Sequence, residues 1–202
     1  MHDLDASIKT LNFTVDLKAM EEFYNSLRTN YGHLQWKWEE HAGDLNTDVY
    51  NTNINKITGW LLQSDMEDPS IRPSMLKSKH ARVPWYNTEL MHGLAARMYE
   101  KIPFAYRWTF FILPPGGHVV KHIDENEYVI HIPLFWHKDA VFIMGDEVRK
   151  EFTFPPTGEA YCVDVEVHHE TFNRSNEDRV GMIFRIKRDR LQDLLAVTGH
   201  FE

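Results

Sequence analysis

Residues 113–134 read LPPGGHVVKHIDENEYVIHIPL. Two turn signals, Pro114 to Gly117 and Asp124 to Glu127, frame one short run of β-formers and introduce a second. Strands are therefore predicted at 118–123 and 128–135. The same punctuation continues outward. Runs rich in Val, Ile, Phe, Tyr and Trp predict further strands near 106–113, 140–144, 150–154, 160–166, 168–173 and 179–186. Strands this closely spaced, separated by Pro, Gly, Asp and Asn, imply an antiparallel sandwich or barrel in the second half of the chain.

The chain has 202 residues, enough to bury a substantial core in one domain. Its net charge of −8 argues against a nucleic-acid backbone or an anionic membrane as partner. One cysteine, Cys162, rules out an internal disulfide and a CxxC zinc site. No apolar run has the length of a membrane span, and MHDLDASIKT lacks the layout of a signal peptide. A cytoplasmic setting is the expectation. Six of the twelve histidines, His118, His122, His131, His137, His168 and His169, fall between residues 118 and 169.

The first half is mixed. Leu11 to Val15 alternates as a short strand, and Asp16 can cap a helix with Leu17, Met20, Tyr24, Leu27 and Tyr31 on one face, stopped at Gly32. Asn87 or Thr88 can cap a second helix, whose face is Met91, Ala95, Met98 and Ile102. A final helix is expected around Asp189 to Val197, ended by Gly199, with the basic residues Arg185, Lys187, Arg188 and Arg190 read mostly as a solvated face. Residues 1–103 thus read as an elaboration packing on a core of residues 104–202. Trp36, Trp38, Trp60 and Trp85 are expected to buttress that core, shape a pocket wall or read a peptide.

His122 and Asp124 are two apart, so on a strand they share a face. VEVHHETFN supplies a third ligand from His168 or His169, only one of which can face the metal. Two imidazoles and one carboxylate, with positions left open, form the facial triad of non-haem Fe(II) oxygenases. The competing reading has Asp124 capping its turn and His122 merely exposed. Arg179 lies ten residues after His169, and its planar fork suits a carboxylate ligand. Its competing role is a surface pair with Glu177 or Asp178. Arg185 shares its strand face and is a second candidate. His131, mid-strand, faces either the pocket or a packed layer.

This segment, followed by HETFNRSNEDRVGMIF, resembles the aspartyl/asparaginyl β-hydroxylase family of Fe(II)- and 2-oxoglutarate-dependent oxygenases, nearest its small bacterial amino-acid hydroxylases. The resemblance covers about residues 104–187. It implies a mainly β protein with flanking helices, a double-stranded β-helix of the jelly-roll, cupin-like kind. It implies Fe(II) bound by His122, Asp124 and His169, with His168 the alternative, and 2-oxoglutarate and O2 as cosubstrates. His131 matches the histidine near the 1-carboxylate and Arg179 the arginine at the 5-carboxylate. Asn173 corresponds to a residue that orients substrate or the distal histidine, or else holds a strand-end turn. Glu127 and Val129 stand where the animal enzymes place two substrate-binding arginines, which disfavours an Asp-containing substrate. Phe111 replaces a family hydroxyl near the 5-carboxylate, leaving Thr109 as a possible helper. The expected substrate is a small molecule or a peptide. The rival reading is a cupin-like metal- or small-ligand-binding protein without turnover, in which His118 would favour zinc; a metal-independent assembly protein with a surface histidine patch is a third.

Overall fold

The computed structural model describes residues 3–31, 36–37, 58–61 and 94–202. In chain order the elements are β1 (Ile8–Val15), α1 (Leu17–Tyr31), β2 (Trp36–Lys37), β3 (Thr58–Leu61), α2 (Leu94–Lys101), β4 (Tyr106–Leu113), β5 (His118–His122), β6 (Glu127–Phe135) and β7 (Ala140–Met144). They continue with β8 (Lys150–Phe152), β9 (Glu159–Asp164), β10 (His169–Asn173), β11 (Arg179–Lys187), α3 (Leu191–Leu195) and β12 (Gly199–Phe201). Every strand expected between 106 and 187 is present, with ends shifted by at most two residues. Among the described residues, no helix is long and apolar enough to cross a membrane.

Two sheets face each other. The larger has the order β12-β1-β9-β6-β11-β4-β3-β2, and the smaller β5-β10-β7-β8. This is the jelly-roll, double-stranded β-helix arrangement with flanking helices. The period-2 rule separates its two cores. On β6 and β11, Ile130, Ile132, Met182 and Phe184 face outward and pack with Met20, Leu27 and Met98 of the helices. Val129 and Ile183 face inward, against Phe142, Met144 and Phe154 of the other sheet's side. Each fully buried Phe, Ile, Leu or Met contributes roughly 1.5–3 kcal/mol. Both faces of β6 and β11 are thus covered, which is why these strands are nearly continuously buried.

The first-half strand is longer than expected, and it does more than pack on the core. β1 lies inside the large sheet, antiparallel to β9 and parallel to β12. Asp16 does cap α1, accepting a hydrogen bond from the Ala19 N–H at 2.7 Å. Gly32, Trp38, Trp85, Asn87, Thr88 and Met91 lie outside the described residues, as do the side chains of Trp36, Trp60 and Ala95. The C-terminal expectation needs correction. A 3-10 turn at Arg188–Arg190 precedes a helix of only Leu191–Leu195, and Gly199, at φ +122°, opens strand β12. Pairing with β1 competes with helix formation there and wins. The basic cluster is solvated only in part: Lys187 and Arg190 are exposed, but Arg185 pairs with Asp124 and Glu127, and Arg188 grips Asp164 with two guanidinium nitrogens.

Candidate metal and carboxylate site

The diagnostic turn sets the site's first wall. Pro115 and Gly116 (φ +71°) occupy the middle of a turn closed by Gly117 N–H donating to Pro114 O at 2.8 Å. Proline second and glycine third with positive φ is the type II pattern. The turn is tied to the end of β10 by reciprocal bonds between Gly116, Gly117 and Asn173, each 2.9 Å. β5 therefore leaves the turn antiparallel to β10, and His122 lies directly opposite His169. The chain then swings through Asn126, in the left-handed region at φ +61°, into β6 of the other sheet. Asn tolerates that conformation better than most residues.

His122, Asp124 and His169 converge: one ligand atom from each lies within 4.8 Å of the other two. The imidazoles of His122 and His169 are 4.2 Å apart between centroids. His122 Nε2 is 3.9 Å from Asp124 Oδ2. Each histidine donates its Nδ1–H to a backbone carbonyl, His122 to Val120 at 2.7 Å and His169 to Val167 at 3.0 Å. That bond fixes the tautomer and leaves Nε2 as the free lone pair, the usual preparation of a metal-ligating imidazole. Burial, then the neighbouring His122, push the His169 pKa down to about 4, which keeps the ring neutral. Burial opposes ionisation of Asp124, but Arg185 and the two histidines outweigh it and hold the carboxyl below its ordinary value. Two imidazole nitrogens and an ionised carboxylate fit a divalent first-row metal.

His168 points elsewhere. It precedes β10 and is absent from this group; its carbonyl accepts from Gly145 N–H at 2.8 Å. His118 is also spent, with Nε2 2.8 Å from Glu170 Oε2. The turn-capping alternative for Asp124 does not hold, since its side chain bonds Arg185 at 2.8 Å.

Behind the cluster, Phe111, His131, Trp136, Arg179, Gly181 and Ile183 line a pocket between the sheets. Arg179 is 3% exposed and makes no surface pair with Glu177 or Asp178. Its guanidinium carbon sits 3.3 Å from the centre of the Trp136 ring, and Nη1 is buried without a hydrogen-bond partner. A desolvated cation–π contact is worth about 2 kcal/mol, whereas burying an uncompensated charge costs several. Trp136 offsets only part of that cost. His131 is buried among Trp136, Phe142 and Phe154, with Nδ1 unpartnered. Burial and then Arg179 hold its pKa well below the ordinary value, so it too is neutral. Two orphaned polar atoms in one apolar pocket fit an anionic ligand. Phe111 lines this pocket, while Thr109 hydroxyl donates to Arg107 O at 3.2 Å.

Of the two roles read for Asn173, its hydrogen bonds favour the strand-end turn. Its amide donates to Leu113 O and Glu177 O at 2.8 Å, and its oxygen accepts from Ser175 N–H at 3.1 Å. Fully buried with its polar capacity filled, it holds the strand-end turn and has nothing left for a substrate. Sequence reasoning missed the tie between Asp124 and Arg185, and the roles of Glu127 and Trp136. The only signal was that Arg185 shares a strand face with Arg179.

The model of the aspartyl/asparaginyl β-hydroxylase family matches residues 75–189, more than half of the chain. No curated protein matches. Among solved structures, a predicted oxalate decarboxylase from Thermotoga maritima is 24% identical, covering 46% of this chain and 72% of its own, with a TM-score of 0.34. An oxidoreductase of the 2OG-Fe(II) oxygenase family from Burkholderia pseudomallei is 17% identical over 42% of this chain and 43% of its own, with a TM-score of 0.36. A Cupin 2 conserved barrel domain protein from Salinispora arenicola is 17% identical over 43% and 67%, with a TM-score of 0.31.

Proposed function

Since the chain belongs to the aspartyl/asparaginyl β-hydroxylase family, we propose that it is an Fe(II)- and 2-oxoglutarate-dependent hydroxylase acting on an amino acid or a peptide side chain. His122 and His169, through Nε2, and Asp124, through a carboxylate oxygen, would hold the iron. With 2-oxoglutarate and O2, Fe(II) supplies the oxidising power for C–H hydroxylation, and the cosubstrate leaves as succinate and CO2.

The observation that carries the reading is Arg179: a buried cation with an orphaned Nη1, in a pocket it shares with His131. The far carboxylate of 2-oxoglutarate would supply the missing charge and accept a hydrogen bond from Arg179 Nη1. Neutral His131 would contact the cosubstrate without adding a second positive charge. Phe111, Trp136 and Ile183 exclude water, which strengthens the pairing. A metal-binding module without turnover has no use for such an arginine.

Anaerobic addition of Fe(II) and then 2-oxoglutarate is expected to give a weak visible charge-transfer band, reduced in Asp124→Ala. Folded protein that binds no iron and gives no cosubstrate-dependent band would defeat the reading. Succinate release, screened over free amino acids and short peptides, identifies the substrate.

A further inference from the structure

We propose that Arg185 is a positioning residue that orients Asp124 as a ligand, and that Glu127 and Tyr106 hold Arg185 for that purpose. The inference rests on the metal reading above and adds a support that lies outside the ligand set.

Asp124 needs such a support. It sits beyond the end of β5, in the connection between the sheets, where only its backbone is fixed, by donation to Val165 O at 2.9 Å. Arg185 Nη1 donates to Asp124 Oδ2 at 2.8 Å and also to Glu127 Oε2. Glu127 is buried, and its other oxygen accepts from the Tyr106 hydroxyl at 2.6 Å, with Lys187 Nζ 3.7 Å away. Tyr106, Glu127, Arg185 and Asp124 thus form one chain running from β4 across β6 and β11 to the ligand. Glu127 has a second effect. It offsets the charge of Arg185, so the guanidinium can hold Asp124 without standing as an uncompensated cation beside a bound dication.

The backbone is shaped for this chain. Ile183 pairs with Thr109, but Arg185 pairs with Tyr106, so β4 carries one extra residue between them. Arg107 lies in that bulge at φ +52°, a conformation costly for a residue with a Cβ. A regular ladder would set Arg185 against Arg107, two cations face to face. The bulge places Tyr106 there instead. Bulges that re-aim side chains cluster beside functional sites.

Anaerobic Co(II) titration of the full-length protein, followed by its visible spectrum, tests this without turnover. Arg185→Met is expected to weaken Co(II) about 10–100-fold, the range for outer-sphere partners of metal ligands, and to change the ligand-field bands. Arg185→Lys keeps the charge and stem but not the fork, and is expected to fold and show a several-fold loss, which covers the case in which Arg185→Met does not fold. Because Arg185 acts through Asp124, Arg185→Lys in an Asp124→Ala background should cause no further loss. Unchanged or tighter Co(II) binding, or an equal loss in both backgrounds, overturns the proposal. So does an effect confined to 2-oxoglutarate affinity, which would make Arg185 a second cosubstrate anchor. Wild-type protein that takes up no Co(II) would remove the metal reading itself, a separate result.

Discussion

The ligand cluster and the pocket behind it solve opposite problems with similar residues. Around His122, Asp124 and His169, each ligand has a protein partner: a carbonyl for each imidazole and Arg185 for the carboxylate. In the pocket, Arg179 and His131 each retain a buried polar atom with none. Arg185 and Arg179 make the contrast within one strand. Arg185 lies between two carboxylates, while Arg179 rests on the face of Trp136. The first region is already organised in the folded chain. In the second, among the described residues, Arg179 has no carboxylate partner.

Four measurements press on that difference. The largest effect is expected from His169→Ala, which removes a buried ligand: stoichiometric metal should be lost, and activity should fall at least a hundredfold, checked by metal analysis and succinate release. Arg179→Met comes next and should separate stability from function. It removes a poorly compensated buried charge, so the thermal midpoint should rise by a few degrees, as about 1–2 kcal/mol would give, while 2-oxoglutarate affinity falls on the order of a hundredfold. A lower midpoint would mean that Arg179 is paired internally after all.

Third is pH. The His169 pKa is pushed from 6.5 to about 4, and that of His131 also lies well below its ordinary value. Unfolded histidines take up protons near pH 6.5, where the folded ones do not. The unfolded state therefore binds more protons, and the stability of the metal-free protein falls as pH drops from 6.5 towards 4. Urea midpoints at pH 7.5 and pH 5 check the sign; an unchanged midpoint would show that neither ring is held neutral. The smallest effect is a control remote from both regions. Asp16→Ala removes the α1 cap and should cost about 1 kcal/mol, with metal and cosubstrate affinities unaltered.

Much of this was legible in the chain, for local reasons. Strand ends from 106 to 187 follow turn residues whose preferences are short-range, such as Pro115 and Gly116. β12 was not legible, because Gly199–Phe201 is three residues long and is a strand only by pairing with β1. The choice between the two roles of Asn173 was not legible for the same reason: its partners, Leu113 and Glu177, are set by how the β4 end meets the β10 turn. The mistaken solvated reading of Arg185 arose because burial is invisible to a charge count.

By itself the sequence determined the strand pattern of an antiparallel sandwich or barrel, the shared face of His122 and Asp124, and the ten-residue step from His169 to Arg179, since a period of two and turn chemistry act over a few residues. The tertiary structure alone decided that His169 and not His168 meets His122, that Arg179 is buried with no carboxylate partner among the described residues, and that Arg185 is tied to Asp124. Those outcomes depend on cross-strand register, on one extra residue in β4, and on which faces two distant sheets bury against each other. None of these is a property of any short stretch of chain.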